Sequence, residues 1–166
     1  MNGSCEPPAT PRAPKTEPTA QSDSAFPSRG RLLGLDYGTR RVGVAVSDDD
    51  RRIASPLENY NRVRPEADAR YLQRVVEDYR PVGLVVGLPL HMSGEEGEKA
   101  KEARRFGAWA AKVTGLPVVF WDERLTSALA DDFLRSAEMS AKQRKARLDK
   151  VAAQIMLQAY LDASRQ

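Results

Sequence analysis

The sequence predicts an α/β fold, a mixed five-stranded sheet flanked by helices. Three observations carry that expectation. Strand-like apolar runs come first as a consecutive set of three and then alternate with two amphipathic helical stretches, the pattern of a mixed sheet rather than an all-β or all-α layer. A last helical stretch closes the chain. The chain is 166 residues long, enough for one domain with a real core.

The first two runs lie in RLLGLDYGTRRVGVAVSD, residues 31–48. A strand over 32–35 ends at Asp36, and Tyr37-Gly38-Thr39 forms a tight turn. In the strand that follows, Val42, Val44 and Val46 point one way, while Gly34, Gly43 and Ala45 let backbone or a ligand come close. An aspartate set by a glycine turn can ligate a divalent metal, or its turn can grip a nucleotide phosphate. It also serves equally as an ordinary turn-former. Residues 52–57 predict a third strand, closing a meander at an edge marked by Pro56.

Pro65 opens a helix whose apolar face carries Tyr71, Leu72, Val75, Val76 and Tyr79, and Pro81 stops it. Residues 82–88 (VGLVVGL) are apolar on both faces, as in a central parallel strand. A polar loop over 91–97 leads to a second helix over 95–113, ended by Gly115. Residues 117–121 (PVVFW) predict the fifth strand, followed by Asp122-Glu123-Arg124. A third helix is expected over 125–136. A basic segment over 137–147 then leads to a last helix reaching Ala163.

Residues 1–30 differ in composition. They hold six of the eleven prolines, many Ser and Thr, and three basic against three acidic residues. Such a segment buries too little surface to offset its ordering entropy, so a disordered tail is expected at 1–30 and a folded domain over 31–166. The single cysteine, Cys5, excludes a disulfide framework and a cysteine-based zinc site. The chain has no apolar stretch of the roughly 18 residues a membrane helix needs, and its first residues lack the apolar run of a signal peptide. A cytoplasmic protein is the expectation. Its net charge of +3 permits a polyanionic partner without requiring one.

Sites in open α/β sheets lie at the carboxyl ends of strands. Asp36 ends the first strand and Glu123 follows the last, so neighbouring strands would put both in one crevice. Asp149 can join them from the last helix, ahead of a stripe of small and apolar residues. Three carboxylates in one cleft suit Mg²⁺ or Mn²⁺. Each also has a plainer use: Asp149 as an acid complementing a helix dipole, and Asp122-Glu123-Arg124 as a surface ion-pair cluster. Arg40 and Arg41 flank the first turn, and Arg124 adjoins Glu123. Between Arg135 and Lys150 stand six basic residues, among them Lys142, Lys145 and Arg147, against two acids. Cations leading into an acidic cleft suit a metal-dependent nuclease, while a solvated helix face is the commoner fate of a charge run. No aromatic interleaving suggests a stacking platform for single strands. His91, the only histidine, reads as a loop residue.

With these residues laid out, the chain over about 31–161 resembles the YqgF/RuvX family of RNase H-like proteins, described as Holliday-junction resolvases or pre-16S rRNA nucleases. The likeness rests on GLDYGTRRVGVAVSD, PLENY, VVGLPLHMSGEEG, WDERLTSALA and LDKVAAQIMLQAYL, in that order. It implies an RNase H-like sheet and a catalytic, metal-holding triad at Asp36, Glu123 and Asp149, with Mg²⁺ or Mn²⁺ as two ions. The charge pattern, not the resemblance, makes Arg40, Arg41, Arg124, Lys142, Lys145 and Arg147 the expected cations facing nucleic acid. The implied activity is endonucleolytic maturation of the 5′ end of precursor 16S rRNA, with ribosome assembly intermediates as partners and a monomer or weak homodimer as the working unit. Resolution of four-way DNA junctions is the near alternative. One departure is visible: the loop that usually reads Asn-Met-Asp-Gly is His91-Met92-Ser93-Gly94. Two further readings stand beside these. Asp36-Tyr37-Gly38-Thr39 also fits the phosphate turn of actin-like and sugar-kinase phosphotransferases, and the chain could be a catalytically silent RNA-binding assembly factor.

Overall fold

The computed structural model describes residues 25–126 and 140–165; within the last helix, nothing is said of the side chains of residues 144–146. Five strands form one sheet in the order β3-β2-β1-β4-β5. Strand β1 (Leu32–Tyr37) pairs antiparallel with β2 (Arg41–Ser47), which pairs antiparallel with β3 (Ala54–Asn61). On its other side β1 runs parallel to β4 (Gly83–Leu88), and β4 runs parallel to β5 (Val118–Asp122). The mixed sheet is the one expected. Strand β3 runs further than the predicted 52–57, through the whole PLENYN stretch, and its register shifts beside Pro56. A proline that cannot donate to the ladder is tolerated on such an irregular edge strand.

Helices α1 (Pro65–Tyr79) and α2 (Glu98–Thr114) cover one face. There Leu33, Leu35, Val42, Val44 and Val46 meet Tyr71, Leu72, Val75 and Phe106 in the larger core. Helix α2 starts three residues later than predicted, because residues 91–96 close a tight turn held by His91 N–H on the Glu95 carbonyl at 3.0 Å. The other face is covered by α3 (Ala141–Ala163), whose Ala153, Met156, Leu157, Tyr160 and Leu161 pack on Leu32, Ala45 and Val85. Small residues in β1 and β2 exist for this helix. A side-chain carbon at Gly34 would lie 2.9 Å from Leu157 Cβ, and one at Gly43 3.2 Å from Ala153 Cβ. Leu157 is fully buried, and its truncation to alanine would cost about 2–5 kcal/mol.

Three expectations change. The segment read as a basic leader over 137–147 is helical from Ala141, where Ser140 and Gln143 form a reciprocal cap. The predicted tail is folded at its end, since Phe26 is 7% exposed and seats its ring against Gly83 and Tyr160. Glu123–Leu125 form a single 3₁₀ turn where the third helix was expected to begin, and residues 127–139, which hold the rest of that expected helix and the start of the basic segment, lie outside the described residues.

Candidate active site

Asp36 and Glu123 reach one place by different routes. Asp36 sits near the end of β1 on the face covered by α3, opposite Gly43 of β2. Strands β1 and β5 are not neighbours, since β4 lies between them. Glu123 crosses that gap over a glycine: a side-chain carbon at Gly87 would stand 2.5 Å from Glu123 Oε1. The bare backbone of β4 is what lets the carboxylate lean inward.

The electrostatics record the convergence. Burial, then the charge of Asp149, pushes the Asp36 carboxyl from 3.8 up to about 6. Burial, then the charges of Asp36 and Asp122, lifts Glu123 from 4.5 to about 7, with Lys99 of α2 pulling weakly the other way. Two carboxylates in a partly desolvated cleft, with little cationic compensation, strongly favour a proton or a cation. Asp149 is exposed on α3 and lies well beyond that helix's first turn, so the dipole-complement reading does not apply to it. Its backbone is anchored: Asn59 Nδ2 of β3 donates to the Asp149 carbonyl at 2.9 Å. Among the described residues no three of Asp, Glu, His and Cys converge closely enough to chelate an ion as they stand. The donor set, three carboxylates with raised proton affinity at two of them, nonetheless fits a hard divalent cation.

The ion-pair reading is realised beside the cleft, not in it. Arg124 Nη2 lies 2.6 Å from Asp122 Oδ2 and its Nε spans both carboxylate oxygens, holding the Asp122 carboxyl below its usual range. Arg124 Nη1 also donates to the Met92 carbonyl at 3.3 Å. Arg124 therefore braces the 91–94 turn against β5 while its side chain stays 35% exposed. His91 packs its ring on Gly97, at the start of α2. Arg40 and Arg41 are exposed at the first turn. Lys142 and Arg147 are exposed on α3, and Lys145 lies among the side chains not described. Sequence reasoning missed Arg62: its Nη1 donates to the Tyr37 hydroxyl at 3.2 Å and to the Gly38 and Thr39 carbonyls, fastening the turn after Asp36. Asn59, Gly87 and Lys99 were missed too, each acting across strands rather than along the sequence.

The fold and this acidic strand-end cleft define an RNase H-like protein. The architecture matches Thermus thermophilus RuvC, solved in complex with a Holliday junction substrate, at a TM-score of 0.51 and 16% identity over 82% of this chain and 96% of that one. The chain belongs to the RuvX family, whose model, "RuvX: Holliday junction resolvase", matches residues 30–163. A relative from Rhodopirellula baltica is 44% identical over 89% of this chain and 85% of its own length, and one from Paracoccus denitrificans is 45% identical over 85% and 89%. Both bear the name "Putative pre-16S rRNA nuclease". The chain is thus a nuclease, a hydrolase of phosphodiester bonds, and the phosphotransferase reading of the Asp36 turn gives way to it. No helix among the described residues is long and apolar enough to cross a membrane.

Proposed function

We propose that this protein is a divalent-metal-dependent endonuclease that matures the 5′ end of precursor 16S ribosomal RNA on ribosome assembly intermediates. Asp36, Glu123 and Asp149 are its metal-holding carboxylates, and Mg²⁺ or Mn²⁺, as two ions, is its cofactor. The observation that carries the reading is the placement of Glu123 over Gly87 on the face Asp36 shares, with burial and the charge of Asp36 raising Glu123 to about 7 and burial and the charge of Asp149 raising Asp36 to about 6. The names of the curated relatives support the substrate.

Bound divalent cations would polarise the scissile phosphate and offset the charge that builds on it. The protein's own groups do the rest. Asp36 is the middle member: the charge of Asp149 raises it, and its own charge raises Glu123. Glu123 is held inward by the space above Gly87, and Asp149 is positioned through its backbone by Asn59. Arg62 keeps the Gly38–Thr39 turn from drifting. Lys142, Lys145 and Arg147 on the opening turns of α3, with Arg40 and Arg41, hold the phosphodiester backbone.

A second reading, resolution of four-way DNA junctions by a dimer, is favoured by the description attached to the matching family model. Labelled precursor 16S RNA and a four-way DNA junction, incubated side by side with Mg²⁺, Mn²⁺ or EDTA, separate the two. Metal-dependent cutting of the RNA alone, lost in Asp36→Asn, is expected. Cutting of the junction alone would replace the first reading with the second, and silence on both would overturn each as an autonomous activity.

A further inference from the structure

The sheet's carboxyl edge carries a second feature, on the face opposite the carboxylates. Residues alternate across a strand, so while Asp36 faces α3, Tyr37 faces α1 and α2. There it opens an uninterrupted aromatic row. The Tyr37 and Phe106 rings are 4.9 Å apart at 32°, and Phe106 and Trp109 are 5.6 Å apart at 34°. These rings, with Arg62, Glu102 and Arg105, line an open groove of about 370 Å³. Arg62 stacks over the Tyr37 ring at 5.1 Å. Asp68, also at the groove wall, is engaged by Tyr60, Val63 N–H and Arg62. Arg105 is exposed and has no ion pair among the described residues.

We propose that this groove seats an unpaired nucleobase of a single-stranded stretch of the nucleic-acid substrate, at the strand end the carboxylates share but on the opposite sheet face; the assignment rests on the nuclease reading above. The chemistry of each wall fits one part of a nucleotide. Trp109, only partly buried, offers the face on which any base stacks through its π surface, backed by buried Phe106 and the Arg62-covered Tyr37 ring. Glu102 repels a phosphate but accepts a hydrogen bond from an exocyclic amino group, so the base goes inward. The phosphate then falls at the rim, where Arg105 stands as the uncommitted cation. Continuity with the cleft is immediate, because Tyr37 follows Asp36 in the same strand and Arg62 binds the turn between them and β2. A base-paired strand keeps its bases stacked and cannot offer one to the groove, so the site selects single-stranded or locally unpaired substrate. The three rings come from positions 37, 106 and 109, which is why no aromatic interleaving shows in the sequence.

The test is fluorescence anisotropy of a labelled short single-stranded RNA, and of the same strand annealed to its complement, in EDTA so that no cleavage intervenes. The full-length wild type is compared with Trp109→Ala, Trp109→Phe and Arg105→Ala. Wild type is expected to prefer the single strand. Trp109→Ala should weaken it about 5- to 150-fold, the span of one base–aromatic stack, with Trp109→Phe restoring most of the loss and duplex binding unmoved. Arg105→Ala, at an exposed position that does not endanger folding, should weaken the single strand and flatten its salt slope by about 0.7. The proposal falls if both alanine variants bind as wild type does, or if single strand and duplex weaken equally. Cleavage is scored separately. Trp109 dependence without metal-dependent cutting would sink the nuclease reading and spare the groove, and the converse would do the reverse.

Discussion

Gly87 and Glu123 occupy one space: a side-chain carbon on the former would come within 2.5 Å of Oε1 of the latter. Strand β4, between β1 and β5, therefore contributes to the site by what it lacks. Gly87→Ala is expected to push the Glu123 carboxylate outward while leaving the strand paired, because the obstacle is the end of a side chain rather than backbone. Displacement of a reacting group by about 1 Å can cost roughly 100-fold in rate. Cleavage should fall by that order with the thermal midpoint little changed. A variant that cuts normally would detach Glu123 from the chemistry.

The raised carboxyls make stability depend on pH in an uncommon direction. In the unfolded chain Asp36 and Glu123 ionise near 3.8 and 4.5, but folded they hold their protons to about 6 and about 7. Across that interval the native state binds more protons than the unfolded one, so these two groups make stability fall as pH rises from about 4 to about 7. In EDTA, the thermal midpoint should decline over this window, and Glu123→Gln should flatten the decline by removing one of the two titrations. An identical pH profile in wild type and variant would refute the assignment.

Lys142, Lys145 and Arg147 lie on the first turns of α3, ahead of Asp149 on the same helix. Their joint replacement by alanine should weaken nucleic-acid binding across sequences and reduce the salt slope by about 2, three contacts at roughly 0.7 each for a single strand. Anisotropy titrations at several salt concentrations read this directly. An unchanged slope would mean that these residues only solvate the helix.

Some of this was legible in the chain order. Asp36 and Glu123 stand at strand ends because apolar runs stop just before them, and strand ends are readable from local pattern. The small residues of β1 and β2 were also visible, although only the structure shows that α3, rather than a ligand, fills the space they leave. Asp149 was found as an acid ahead of an apolar stripe, yet its depth in α3 was not, since the capping pair Ser140 and Gln143 that starts the helix earlier was overlooked. Gly87, Asn59 and Arg62 stayed hidden for a different reason. Each acts on a residue distant in sequence, Glu123, Asp149 and Tyr37 respectively, and no periodicity encodes a contact across strands. Phe26 was the one large apolar residue after Met1 in a polar stretch, a signal outweighed by the prolines around it.

The central claim is that Asp36, Glu123 and Asp149 together hold divalent metal. Titration of Mn²⁺ into the metal-free protein, followed by electron paramagnetic resonance at about pH 8, where both raised carboxyls are ionised, tests it most directly. Wild type should take up the ion, and Asp36→Asn, Glu123→Gln and Asp149→Asn should each weaken uptake at least about tenfold, the loss expected when support for a metal is removed. Uptake that is equal in wild type and all three variants would contradict the account.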